Sequence, residues 1–193
     1  MAPMELNLVV ILGSIRDGRI GKKVAEYLKK RLDGFNVDFM DPDVLELPLL
    51  RKPIHFYEEQ SEAPQLLQDL HERIKKADAY VVITPEYNRN ISPVLTNFMD
   101  HFPPSSYNGK VSGIVSYSVS AHGGSIAGYS CRGFLVELGC LPVPASVTVA
   151  AAHELGEKNA WFDKDIGIML SQLRWWGSAT KSQRAISQCP RTM

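Results

Sequence analysis

Three short segments of this 193-residue chain combine residue types that could do chemistry. The first, Gly13-Ser14-Ile15-Arg16-Asp17-Gly18-Arg19-Ile20-Gly21, sets backbone amides, a hydroxyl and two guanidinium groups between an apolar run and an amphipathic one. Where such a loop opens a helix, its N–H groups and the helix dipole make an anion site, which arginines complete with charge-assisted bonds to phosphate. Gly13 and Gly18 stand close to the Walker A spacing, but Arg19-Ile20 occupies the place of Lys-Ser/Thr, which disfavours ATP hydrolysis. The GxGxxG fingerprint is absent as well, so a Rossmann-type dinucleotide site is not expected.

The second segment, Thr84-Pro85-Glu86-Tyr87-Asn88-Arg89-Asn90, crowds a proline, an aromatic ring and several amide and charged groups directly after an apolar run. Pro85 would hold the backbone, Tyr87 could lie against a flat heteroaromatic ligand, and Asn88 or main-chain groups could bond its polar edge. The third, running from Ser118 to Ser125, contains Gly123-Gly124, where backbone can approach a ligand closely. His122 in the same segment has the profile of a surface loop histidine rather than a base.

Other chemistries fail on the residues. Gly128-Tyr129-Ser130-Cys131-Arg132 lacks the last glycine of a serine-hydrolase elbow, the first loop has no cysteine for phosphatase chemistry, and Gly13-Ser14 and Thr84-Pro85 stand where a phosphoacceptor domain needs carboxylates. Cys131, Cys140 and Cys189 are odd in number and form neither a CxxC pair nor a Cys/His zinc pattern, so no metal site is expected.

The elements that must position these segments follow from periodicity. Leu6 to Leu12 and Ala79 to Thr84 are short, nearly continuous apolar runs of the kind buried on both faces of a parallel sheet, and Asn36 to Met40, Lys110 to Ser118 and Ala145 to Ala150 read as three further short strands. Between them lie helical patterns. Ile20, Val24, Tyr27, Leu28 and Leu32 mark the first, and Leu66, Leu67, Leu70, Ile74 and Ala77 the second. Ser92-Pro93 gives a third its N-cap and first turn, ahead of Val94, Leu95, Phe98 and Met99. A fourth runs from Gly123-Gly124 toward Gly139. Trp161, Ile166, Met169, Leu170, Leu173 and Trp176 mark the last, where Trp175-Trp176 reads as core or interface packing. Residues 41–63 show no clean period and are expected to form a long irregular connection. Strand and helix alternating five times predict an α/β, doubly wound sheet of about five parallel strands. Residues 1–180 are expected to form one domain and residues 181–193 a polar tail.

Composition bounds the rest. Lys and Arg number 21 against 21 Asp and Glu, with 45% of residues hydrophobic, which suits one soluble globular domain. Zero net charge gives no reason to expect nucleic acid or an acidic membrane as partner. The Leu8–Leu12 run is too short to span a bilayer, the first residues carry no basic leader, and the cysteine pattern suits a reducing compartment, so a cytoplasmic location is expected.

Gly-Ser-Ile-Arg at 13–16, Pro-Glu-Tyr-Asn at 85–88 and Gly-Gly at 123–124, in that order and spacing, resemble the NADPH-dependent FMN reductase family of flavodoxin-like flavoproteins. The resemblance implies a three-layer flavodoxin-like fold with strand order 2-1-3-4-5, and FMN as cofactor with NADPH or NADH as hydride donor. It implies that Ser14, Arg16, Arg19 and the Ile20 amide hold the FMN phosphate. Pro85, Glu86, Tyr87 and Asn88 would border the isoalloxazine, while Ser118, Gly123 and Gly124 would face its pyrimidine edge. No side chain is expected to be catalytic, because the flavin carries the chemistry by a ping-pong route to a small acceptor such as a flavin or quinone. A homodimer or tetramer is implied, with residues 87–97 near a partner chain, and Arg89 or the 41–63 connection is a candidate contact for the nicotinamide nucleotide. A flavodoxin-type electron carrier and a flavin-binding regulatory module without turnover are the alternatives. Carriers usually dock through a strongly acidic face, which this neutral chain lacks.

Overall fold

The computed structural model of the protein describes residues 4–156 and 162–190. Trp161, expected in the last helix, lies outside the described residues, as do residues 1–3 and the final three of the expected tail.

Four strands, β1 (Leu6–Leu12), β2 (Phe35–Met40), β3 (Ala79–Pro85) and β4 (Val111–Tyr117), pair in parallel in the order β2-β1-β3-β4. The position beyond β4 is filled by two pieces rather than the single strand expected at 145–150. β5 (Leu141–Pro142) pairs with the start of β4, and β6 (Val147–Val149) pairs with its end. Pro142 and Pro144 break the strand because neither has an N–H to donate to the ladder. The Arg132 guanidinium instead collects the carbonyls of Pro142, Val143 and Pro144.

Alternation along each strand divides the core in two. Leu8, Val10 and Leu12 of β1 pack with Val24 and Leu28 of α1 (Gly21–Lys29) and with Met169, Leu170 and Leu173 of α6 (Asp163–Ile186). Val9 and Ile11 face the other way. They join Leu70 and Ile74 of α3 (Gln65–Lys76), Leu95 and Phe98 of α4 (Pro93–Asp100) and Cys131 and Leu135 of α5 (Ser125–Glu137). Helices on both faces of a parallel sheet make the expected three-layer, doubly wound architecture with strand order 2-1-3-4-5. As its residues predict, α4 starts with Pro93 in its first turn and Ser92 as N-cap, whose hydroxyl accepts from the Leu95 amide at 3.2 Å.

Two connections are more ordered than their sequences suggest. Residues 41–63 contain the short helix α2 (Pro42–Leu45) and two 3₁₀ turns, at Ile54–Phe56 and Gln60–Glu62. The Asn97 side chain on α4 accepts from the Leu50 amide at 2.8 Å and donates to the Pro48 carbonyl at 2.9 Å, which clips this segment to the domain. At the other end, α6 continues to Ile186, six residues into the stretch expected as a polar tail. The reason is a buried acid: Asp78, 7% exposed, accepts from Lys181 at 2.8 Å and from Arg184 at 3.2 Å. No helix of the described residues is long and apolar enough to cross a membrane.

Two histidines, His71 and His101, sit against Phe102. His71 stacks on its ring and lies 3.0 Å from the Ser106 hydroxyl, while His101 approaches Phe102 from the end of α4. Burial holds His55, His71 and His101 below their ordinary value of 6.5, and the nearby Lys75 pushes His71 further down. Below pH 6.5 the unfolded chain therefore binds protons that the folded one refuses, so stability falls as pH drops through that value. The thermal midpoint is expected to be highest above pH 7 and to decline from about pH 6.5 downward. His71→Gln should flatten the decline; a slope identical to that of the parent would remove His71 from it.

Candidate active site

In an open parallel sheet, ligands lie outside the carboxyl ends of the strands where the strand order reverses. Here that point falls between β1 and β3, and a cavity of about 300 Å³ opens there, walled by the chain leaving β1, β3 and β4.

From β1 come residues 16–20. The Arg19 amide donates to the Arg16 carbonyl at 3.1 Å, turning the loop back into α1, whose first turn contains no carboxylate. The positive end of that helix is thus not neutralised locally. Arg16 is exposed, forms no ion pair among the described residues, and lies over the Tyr87 ring with its guanidinium carbon 3.6 Å from the centroid.

Ser14 and Arg19 are placed differently from the direct phosphate contacts that the resemblance implies. Ser14 is 2% exposed and sits beneath the cavity as a hub. Its hydroxyl lies 2.8 Å from the Tyr87 hydroxyl, accepts from the Arg16 amide at 3.4 Å and meets the Tyr117 hydroxyl. Arg19 does line the cavity, but its guanidinium is held by Asp41 at 2.6 Å, by Asp43 at 3.0 Å and by the Ser14 carbonyl. Two carboxylates largely neutralise it, and it ties the first loop to the start of the 41–63 segment. Both acids follow β2, the neighbour of β1, so their nearness to Arg19 depends on strand order.

From β3 come Pro85, Glu86 and Tyr87. The Glu86 carboxylate accepts from the Ile126 and Ala127 amides at 3.0 and 3.1 Å. It supplies the cap that Gly124, at the N-terminus of α5, has no side chain to give. Glu86→Ala is therefore expected to cost about 1–2 kcal/mol of stability, measurable by urea denaturation. Loss of flavin affinity at unchanged stability would show instead that this carboxylate acts on the ligand. Asn88 is exposed and lies outside the cavity wall, at the tip of a turn.

From β4 come Tyr117, Ser118 and Val119. Ser118 is bound into the sheet edge, donating its amide to Val149 and accepting from Ala152. Gly123 and Gly124 do not line the cavity. Both have left-handed backbones, at φ 58° and 80°, and both are buried against the sheet. A Cβ on Gly123 would stand 2.7 Å from the Ala150 nitrogen, and one on Gly124 2.9 Å from the Tyr117 carbonyl oxygen. Close packing on the ends of β4 and β6 explains the pair without a ligand. His122 is exposed and also lies away from the wall.

Tyr117 was not among the residues singled out from sequence. Its hydroxyl contacts both the Ser14 side chain and the Gly21 backbone. Burial and the nearby Tyr87 phenol push its pKa up, so it stays a neutral hydrogen-bonding group. An aromatic residue with a polar tip at the carboxyl end of a buried strand was the available signal.

An exposed, unpaired guanidinium, a helix N-terminus and two tyrosine rings around one cavity fit a flat aromatic group carrying a phosphate, and FMN is such a molecule. The model of the family described as NADPH-dependent FMN reductase matches residues 6–154. The chain belongs to that family. As a member it is an oxidoreductase that uses FMN and NAD(P)H. It is 27% identical to a quinone reductase of Pseudomonas putida over 93% of this chain and 97% of the other. It is 31% identical to a 2-hydroxy-1,4-benzoquinone reductase of a Burkholderia species over 67% of this chain and 70% of that one. Among solved structures, the NAD(P)H:(acceptor) oxidoreductase FerB of Paracoccus denitrificans shares the fold with a TM-score of 0.67 at 21% identity, over 92% of this chain and 98% of FerB.

Proposed function

We propose that this reductase passes electrons from NAD(P)H to a quinone or another small acceptor, by a ping-pong mechanism at the cavity between β1, β3 and β4. The observation that carries the reading is the meeting, at one switch point, of an anion loop with a free arginine and of the Pro85–Tyr87 wall. Bound FMN would supply the hydride acceptor and donor. Arg16 and the amides at the start of α1, including that of Ile20, would hold its phosphate. Ser14 and Arg19 keep that loop in shape, through Tyr87 and Tyr117 on one side and Asp41 and Asp43 on the other. Pro85, Glu86, Tyr87 and Ser118 would border the ring system, with Asn88 shaping the turn that follows Tyr87 and Gly123 and Gly124 seating the third loop behind it.

Only one opening serves donor and acceptor in this reading, so the oxidised nucleotide must leave before the acceptor enters. NAD(P)H and a proton are consumed with the acceptor, and a quinone would leave as the hydroquinone. An open site of this kind selects weakly among flavins, quinones, azo compounds, ferric complexes and chromate. The named activities of the Pseudomonas and Burkholderia relatives favour quinones for this chain too.

The same reading places the protein in the cytoplasm, where the unbridged thiols of Cys131, Cys140 and Cys189 suit a reducing compartment. It also makes the protein a homodimer or tetramer. Support comes from Ile126 and Tyr129, exposed on the first turns of α5, and from the exposed Trp175-Trp176 pair on α6. Sedimentation would read the oligomeric state. For the activity, the deciding experiment is the visible spectrum of the purified protein with FMN, repeated anaerobically after NADPH. Bound flavin that bleaches and recovers on adding a quinone is the expected result; bound flavin that stays oxidised would overturn the reading.

A further inference from the structure

The turn after β3 is strained in a way that the flavin site does not require. The Tyr87 amide donates to the Asn90 carbonyl and the Asn90 amide to the Tyr87 carbonyl, both at 3.1 Å, closing a two-residue hairpin. Its central residues, Asn88 and Arg89, both have left-handed backbones, at φ 53° and 62°. Such a turn is most easily made by Asn followed by Gly. Asn88 meets that preference, but an arginine stands where glycine costs least.

The residues on either side of the turn are anchored. Tyr87 is anchored through its hydroxyl to Ser14 and through its ring to Arg16, and the Asn90 side chain accepts from the Ile91 amide at 2.9 Å. Strain that is held rigidly beside a cavity points to a function for the strained residue. Arg89 is exposed and makes no ion pair or side-chain hydrogen bond among the described residues. Arg19 is neutralised by Asp41 and Asp43, and Arg16 is engaged by the flavin phosphate in the function proposed above. Arg89 is therefore a spare guanidinium on the turn that follows the Glu86–Tyr87 wall, two residues beyond Tyr87.

We propose that Arg89 is a specificity-determining residue that pairs with the 2′-phosphate of NADPH and so sets the preference for NADPH over NADH, an inference that rests on the reductase reading. A planar guanidinium suits a phosphate monoester dianion through paired charge-assisted bonds, and NADH has no such group. The strained turn sets the point at which the Arg89 side chain leaves the main chain beside the cavity wall.

The test compares the FMN-loaded parent with Arg89→Gly and Arg89→Ala. Three quantities are read: kcat and KM for NADPH and for NADH with 1,4-benzoquinone, calorimetric binding of NADP+ and NAD+, and the thermal midpoint. Loss of one charged hydrogen-bonded contact should raise the NADPH KM and the NADP+ Kd at least about tenfold and lower the NADPH/NADH ratio of kcat/KM to match. Relief of backbone strain should meanwhile raise the midpoint of the glycine variant by roughly 2–4 °C. An unchanged NADPH/NADH ratio would overturn the inference alone. Equal weakening of both nucleotides would do the same, because it would place Arg89 on a group they share. A parent enzyme that oxidises neither nucleotide would overturn the reductase reading and this inference with it.

Discussion

Arg16→Ala is expected to weaken FMN binding by about ten- to a hundredfold, read as quenching of flavin fluorescence on titration into the flavin-free protein. A hydrogen bond to a charged group is worth about 1.5–3 kcal/mol, which converts to that range. Arg16 lies over Tyr87 in the structure, so the phosphate must compete with an aromatic face for it. An exposed cation–π contact is worth about 0.5–1 kcal/mol, less than the phosphate bond, so the guanidinium should turn to the phosphate when flavin binds. Arg16→Lys keeps the charge but loses the planar fork and should fall between the parent and the alanine variant. Arg19→Ala should behave differently. It would leave Asp41 and Asp43 without their shared cation and should lower the thermal midpoint of the flavin-free protein. An FMN affinity unchanged by Arg16→Ala would remove that residue from the phosphate site and return Arg19 to consideration.

Gly123→Ala is expected to be the most destabilising of these substitutions. An alanine at φ 58° pays about 1–2 kcal/mol for the left-handed backbone. Its Cβ would also stand 2.6 Å from Thr148 Cγ2 and 2.7 Å from the Ala150 nitrogen, and the second neighbour is main chain that cannot step aside. Overpacking of this kind adds about 1–3 kcal/mol. The midpoint of the flavin-free protein should therefore drop by roughly 5–15 °C. A variant with the parental midpoint but poor flavin binding would instead place Gly123 against the ligand, as the family resemblance implies.

These two residues show how the information divides. Arg16 could be picked out from sequence because its neighbours announce an anion loop: two glycines at close spacing between a buried strand and an amphipathic helix. Gly123-Gly124 could be picked out as special, but not for what. A glycine is required equally where a ligand approaches backbone and where backbone approaches backbone, and only the positions of Thr148 and Ala150 separate the two cases.

Local patterns determined the layers, the parallel sheet and the start of α4 at Ser92-Pro93, because apolar periodicity and capping act between residues a few positions apart. The same logic read 145–150 as one strand, where Pro142 and Pro144 break the sheet edge into two pieces. It also ended the domain at residue 180, before the two bases that Asp78 draws onto α6. Tertiary structure alone decided which charges remain available. Arg19 meets Asp41 and Asp43 because β2 lies next to β1, and Glu86 caps α5 because β3 ends beside it. Pairings of that kind join residues distant in the chain, and an arginine or glutamate looks the same in sequence whether its charge is free for a ligand or already spent on the fold.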